Sequence, residues 1–135
     1  MAEEKIKMGP YEQICYAGAR ALEDKTIVFA GTGLPMLACL FAQRTWAPDM
    51  NVIFEAGSLG VQMWMGLPLS VGDTRASTRS CIVKGLCFAF EGQQRGYSDY
   101  AFIGGAEIDK YGNINSTCFG EYEKPKVRFP GSGGA

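Results

Sequence analysis

Thr26-Ile27-Val28-Phe29-Ala30-Gly31-Thr32-Gly33-Leu34-Pro35, followed downstream by Asn51-Val52-Ile53-Phe54-Glu55-Ala56-Gly57, is the stretch that decides the fold. Its first part is a short apolar run, rich in β-branched and aromatic residues, that stops at Gly31. Such a run reads as a buried strand. Pro35 suits the first turn of a helix, where its missing N–H is no loss. From Met36 to about Arg44 the sequence is apolar on nearly all sides, as in a buried helix. Pro48 breaks the chain, and Asn51 to Ala56 reads as a second buried strand. Strand–helix–strand implies parallel strands joined by a right-handed crossover. The expected fold is α/β: an open, mostly parallel sheet with flanking helices.

Outward from this unit, Pro10 opens a helix over residues 11–23, with Ile14, Gly18, Ala21 and Leu22 on one side. Residues 57–75 read as a long loop rich in Gly, Met and Pro. Ile82 to Gln93 reads as a short strand leading into a helix. Tyr100-Ala101-Phe102-Ile103 is expected to be a buried strand ended by Gly104-Gly105. Residues 109–125 are rich in turn formers, with Asp109 and Asn113 to Asn115 shaping turns. Val127-Arg128-Phe129 is a last strand. The 135 residues suit a single α/β domain spanning 1–135.

The composition removes several function classes. Hydrophobic residues make up 47%, charged residues 20%, and the net charge is −1, so nothing points to nucleic acid or an anionic membrane. No apolar run reaches the roughly 18 residues of a membrane-spanning helix. Met1-Ala2-Glu3-Glu4-Lys5 is polar and lacks the apolar centre of a signal peptide. Cys15, Cys39, Cys81, Cys87 and Cys118 are odd in number, irregularly spaced and without a CxxC, which reads as reduced thiols of a cytoplasmic protein and no metal site. There is no histidine. That removes the commonest general base and the Ser-His-Asp triad. Nucleophilic or acid–base work falls to carboxylate, thiol, lysine or tyrosine.

Glu55 is the leading candidate for that work. Carboxylates are almost never fully buried unless paired, yet this one ends an apolar strand and runs into Gly57. Ligands dock at the carboxyl ends of strands in open α/β sheets. A partly desolvated carboxylate there can serve as nucleophile or base. An ion pair with an arginine, or a cap on the next helix, accounts for it equally well on spacing alone. The 18 glycines cluster at ends of expected elements: Gly31 and Gly33, Gly57 and Gly60, Gly104 and Gly105, then Gly131, Gly133 and Gly134. Glycine admits positive φ and close approach of backbone to a ligand, so these clusters suit a site lined by main-chain amides. Gly31-Thr32-Gly33 opens a helix, where amides bind anions. Met36 occupies the third glycine position of the dinucleotide fingerprint, so a tight turn explains the pair as well. Pro130-Gly131-Ser132-Gly133-Gly134-Ala135 is either a glycine-rich tail or linker, or a turn that delivers the chain into a further helix.

Taken in order and spacing, these segments resemble the class I coenzyme A transferases, in particular the β subunits of two-subunit enzymes of the glutaconate CoA-transferase type. The resemblance runs from about residue 11 to Ala135. It is carried by Thr26 to Pro35, Trp46-Ala47-Pro48-Asp49, Phe54-Glu55-Ala56-Gly57 (like the family's catalytic Glu-Ser-Gly) and Pro68-Leu69-Ser70-Val71-Gly72-Asp73. It continues through Phe102-Ile103-Gly104-Gly105-Ala106-Glu107-Ile108-Asp109-Lys110-Tyr111-Gly112-Asn113-Ile114-Asn115-Ser116-Thr117, then Pro125-Lys126-Val127-Arg128 and Pro130 to Ala135.

The resemblance implies a ping-pong transfer of coenzyme A between an acyl-CoA and a free carboxylic acid, with Glu55 as nucleophile and a glutamyl-CoA thioester as intermediate. It implies an oxyanion donor at Gly134 and main-chain contacts to substrate or CoA at Gly31, Gly33, Gly104, Gly105, Gly131 and Gly133. No tightly bound cofactor is implied; coenzyme A is substrate and covalent intermediate. It implies an α-subunit partner in a hetero-oligomer. The family's β subunits are longer than this chain, so the chain is expected to be the first part of such a subunit, either completed by a further polypeptide or a truncated or processed piece of it. Ala56 stands where the family often has serine. An acyl-CoA hydrolase or decarboxylase on the same fold, and a non-catalytic acyl-CoA-binding or scaffold subunit, are the alternatives. For the enzyme alternative Cys81 and Cys118 are the nucleophiles; otherwise they are small buried thiols. Met63, Trp64 and Met65 suit a core or interface stripe, and Arg75, Arg79, Lys84 and Arg95 suit either CoA phosphates or a solvated surface.

Overall fold

The computed structural model describes residues 7–63 and 66–131. The chain forms two compact units, Met1–Phe102 and Ile103–Ala135. In the first, α1 (Pro10–Arg20) precedes β1 (Ile27–Ala30), α2 (Leu34–Arg44), β2 (Asn51–Phe54), β3 (Ser58–Leu59), α3 (Thr74–Ser77), β4 (Ile82–Val83), α4 (Leu86–Gln94) and β5 (Tyr100–Ala101). The sheet order is β4-β3-β2-β1-β5. β1 runs parallel to both β2 and β5, while β3 is antiparallel to β2 and to β4. Only β3 therefore runs against the common direction, and the sheet is open and mostly parallel, as expected.

The side-chain alternation of the strands explains the layers. Val28 and Ala30 of β1 and Val52 and Phe54 of β2 are fully buried and join Met36, Ala38, Cys39 and Ala42 of α2 and Cys15 and Ala19 of α1 in one core. Small side chains let α1 close on α2: a Cβ at Gly18 would lie 3.7 Å from that of Ala38. Ile27, Phe29 and Ile53 point to the other face. There Phe29 meets Phe90 of α4 with ring centroids 5.7 Å apart. β2 is buried along most of its length, with a strand on each side, the α1–α2 core against Val52 and Phe54, and Phe88 of α4 near Ile53. Full burial of Phe54 alone stabilises by about 2–3 kcal/mol. Gln43 fastens the loop ends beneath: its buried amide donates to the carbonyls of Met50 and Val61, each at 3.0 Å.

Three expectations need correction. Residues 57–75 are not simply a loop, since β3 and the start of α3 lie there. Tyr100 to Ile103 is not a buried strand: β5 is a two-residue edge strand, with Ala101 exposed and Ile103 65% exposed. Tyr100 and Phe102 pack partly buried against the core while Ala101 and Ile103 on the opposite face are exposed, so the apolar composition of this edge strand overstates its burial. The thiols of Cys81 and Cys118 are not buried, the first being exposed and the second half-exposed.

The second unit consists of two hairpins, β6 (Glu107–Ile108) with β7 (Ile114–Asn115) and β8 (Cys118–Gly120) with β9 (Pro125–Arg128). The turn formers act as expected. Asp109 accepts the Asn113 side chain and the amides of Asn113 and Tyr111, which hold its carboxyl below the usual carboxylate range. Among the described residues, no helix is long and apolar enough to cross a membrane.

Candidate active site at the ends of the parallel strands

β1 and β2 are in register from Ile27↔Asn51 to Ala30↔Phe54. Gly31 and Glu55 are thus the first residues beyond a paired strand end, side by side at the carboxyl edge of the sheet. This is where open α/β sheets expose side chains to ligands. Glu55 is half-buried. The ion pairs of the described residues, Arg75 with Asp73 and Arg95 with Glu91, do not involve it. Its turn is closed by the Gly57 amide, which donates to the Phe54 carbonyl at 2.8 Å. Gly57 has φ +98°. Its carbonyl accepts the Lys84 amide at 3.0 Å, tying the turn to the chain just ahead of α4.

The neighbouring turn is built differently. Gly33 caps α2 at φ +94°, with no side-chain capping bond. A Cβ at Gly31 or at Gly33 would meet nothing within 4 Å. The turn therefore has open space around it where it opens α2, an eleven-residue helix whose N-terminal end carries partial positive charge. A carboxylate and a glycine turn at neighbouring strand ends suit chemistry in which negative charge develops on an oxygen.

Gly104, Gly105 and Gly131 belong to the second unit, where they line one pocket of about 280 Å³ with Ala106, Ser116, Phe129 and Pro130. The Gly131 amide donates to the Ser116 carbonyl at 2.9 Å, and Phe129 packs edge-on against Phe119. Gly133 and Gly134 lie outside the described residues, as do Trp64 and Met65.

Sequence reasoning missed one organised polar group. Asp73 caps α3 through the Arg75 amide at 2.9 Å, and its other oxygen takes the Arg75 guanidinium and, at 3.0 Å, the Leu69 amide. Arg75 holds the Asp73 carboxyl well below the usual carboxylate range. Arg75 is accordingly engaged with a carboxylate and is not a free cation. The signal was available, because Asp ahead of a short helix is a preferred cap.

Comparison with known proteins agrees with this fold. The sequence profile described as Coenzyme A transferase matches residues 11–135. The β subunit of 3-oxoadipate CoA-transferase from Pseudomonas knackmussii is 43% identical over 126 residues, which is 92% of this chain and 48% of that one. The crystal structure of glutaconate coenzyme A-transferase from Acidaminococcus fermentans superposes with a TM-score of 0.79 at 36% identity, covering 96% of this chain and 51% of that one. The decarboxylase AibA/AibB superposes with a TM-score of 0.78 at 30% identity, covering 96% and 54%. The open, mostly parallel sheet with its flanking helices is thus a coenzyme A transferase architecture. The chain belongs to the coenzyme A transferase family, and it spans about half the length of the relatives it matches.

Proposed function

We propose that the chain is the first part of a longer CoA-transferase β subunit, which moves coenzyme A between an acyl-CoA and a free carboxylic acid. The observation that carries this reading is Glu55, half-buried and outside the ion pairs of the described residues, one residue past the central strand β2. In this reading a Glu55 carboxylate oxygen attacks the thioester carbonyl. The C–S bond breaks, CoA leaves as thiolate, and an acyl-glutamyl anhydride forms. The thiolate then attacks the glutamyl carbonyl, releasing the donor acid and leaving a glutamyl-CoA thioester. The acceptor carboxylate attacks that thioester and expels the thiolate, which takes the new acyl group and restores Glu55. Splitting one exchange into these steps is covalent catalysis.

Each step passes through an oxyanion. Gly134 is assigned as its donor, and Gly31, Gly33, Gly104, Gly105, Gly131 and Gly133 as main-chain contacts to substrate. The open space around Gly31 and Gly33 supports this for the first two. Coenzyme A is then substrate and covalent intermediate, with no tightly bound cofactor. The partner is an α subunit, in keeping with the relative's designation as one subunit of its enzyme, together with the polypeptide that completes the β fold. Five free thiols support a cytoplasmic location.

The likeness to a decarboxylase favours a second reading, a decarboxylase or hydrolase on the same fold. One experiment separates the readings. The tagged chain is purified with whatever it assembles with, and isotope exchange is followed between free glutaconate or 3-oxoadipate and acetyl-, succinyl- and glutaconyl-CoA. Glu55→Gln is expected to lower exchange by several orders of magnitude, while Cys81→Ser with Cys118→Ser retains most of it. Exchange that survives Glu55→Gln refutes transfer through Glu55, as does a collapse in the cysteine variant alone.

A further inference from the structure

We infer that Gly57 is a positioning residue: its backbone seats the Glu55 turn on the Lys84–Gly85 peptide, and only glycine permits that seat. This rests on Glu55 being the attacking carboxylate.

Two properties of Gly57 combine. It has φ +98°, in the left-handed half of backbone space where L side chains are strained. A Cβ there would also lie 2.5 Å from the Gly85 carbonyl oxygen and 2.7 Å from the carbon and oxygen of the Lys84 carbonyl. These are backbone atoms, so no side-chain rotation relieves the clash. The lock is completed from both sides. Gly57 donates to Phe54, at the end of β2, and accepts from Lys84. Lys84 and Gly85 are themselves fixed, because β4 pairs with β3 through Ser58↔Val83 and Gly85 caps α4. The residues on either side of Glu55 and Ala56 are thereby tied to the sheet and to the start of α4. The carboxylate has little freedom to withdraw with its backbone.

Other glycines separate strain from contact. Gly96 has φ +75°, and a Cβ there would meet nothing within 4 Å. Alanine at 96 adds the same kind of strain, away from Glu55 and without collision. Alanine at 57 adds strain and pushes the turn off its seat. A displacement near 1 Å in a reacting group lowers rate by about 10²-fold.

The test uses the assembled enzyme and the acyl-CoA, among acetyl-, succinyl- and glutaconyl-CoA, that labels Glu55 fastest. Single-turnover formation of the Glu55–CoA adduct, kcat, KM and melting temperature are measured for the parent, Gly57→Ala, Gly96→Ala and Glu55→Gln. Gly57→Ala is expected to form the adduct about 10²-fold more slowly, with KM within about threefold of the parent. Gly96→Ala is expected to lower the melting temperature while adduct formation stays within about twofold. Should Gly57→Ala not accumulate, Lys84→Pro is compared with Lys84→Ala. The proline removes the N–H that Gly57 accepts, and the alanine accounts for the lost side chain. A tenfold or greater drop in adduct rate for the proline over the alanine supports the seat. Adduct formation in Gly57→Ala, or in Lys84→Pro against Lys84→Ala, within threefold of its reference overturns the inference, provided Glu55→Gln forms none. An adduct-free parent, or an unaffected Glu55→Gln, instead refutes the transferase reading.

Discussion

Two turns end two neighbouring parallel strands of the same sheet, and they are opposites. The Gly31–Gly33 turn after β1 is open: a side chain at either glycine would meet nothing within 4 Å. The Glu55–Gly57 turn after β2 is closed, and a side chain at Gly57 would run into the backbone of Lys84 and Gly85. Gly33 and Gly57 share nearly the same φ, +94° and +98°. The sequence has glycine at both for one conformational reason and at Gly57 for a second, steric one. Open space beside a helix N-terminus suits binding, whereas a jammed turn suits holding a reacting group still. The difference teaches that a glycine's φ does not reveal its function; what its missing Cβ would touch does.

The contrast breaks if alanine has the same effect in both places. The largest expected gap is in kcat: about 10²-fold lower for Gly57→Ala, with a much smaller change for Gly33→Ala. Steady-state kinetics on the assembled enzyme reads it directly. Next comes KM. Gly33→Ala introduces a methyl into the open space and is expected to raise the KM for acyl-CoA about tenfold, a loss near 1.4 kcal/mol, while Gly57→Ala leaves it nearly alone. Equal effects of the two variants on kcat and KM would erase the distinction between a binding turn and a positioning turn.

A third effect, on stability and not on rate, concerns α2, which carries the open turn. Burial, aided by the neighbouring Cys15 thiol, pushes the Cys39 thiol up to about 12. The unfolded thiol ionises near about 8.5. The folded state thus binds the proton more tightly, and this stabilisation is complete below the unfolded value and is lost as pH rises toward the folded one. Stability should decline above pH ~8.5 by about 1.4 kcal/mol per unit from this group. Between pH 8 and 10 the melting temperature should fall more steeply with pH in the parent than in Cys39→Ala; parallel pH dependences would show that Cys39 is not so shielded.

The central unit was legible because apolar runs ended by glycine bracket an apolar helix, and β1, α2 and β2 follow that reading to within two residues. The place of Glu55 just past a buried strand was legible because a carboxylate after such a run is anomalous. The remainder was hidden for identifiable reasons. β3 and β4 have two residues each, too few for alternation to register. β5 is apolar but lies at an edge, so composition overstated its burial. Cys81 sits beside β4, the other edge strand, where being a cysteine does not guarantee cover. The seat of Gly57 is backbone against backbone, between segments distant in the chain, and leaves no side-chain pattern to read.

The most direct measurement of the central claim is covalent. The assembled enzyme is incubated with acetyl-, succinyl- or glutaconyl-CoA and no acceptor acid, reduced with borohydride, digested and mapped by mass spectrometry. Transfer through a glutamyl thioester predicts a CoA adduct before reduction and a reduced side chain afterwards, both at Glu55 and at no other carboxylate. An unmodified Glu55 in an enzyme that still exchanges CoA, or an adduct on Cys81 or Cys118 in its place, would contradict it.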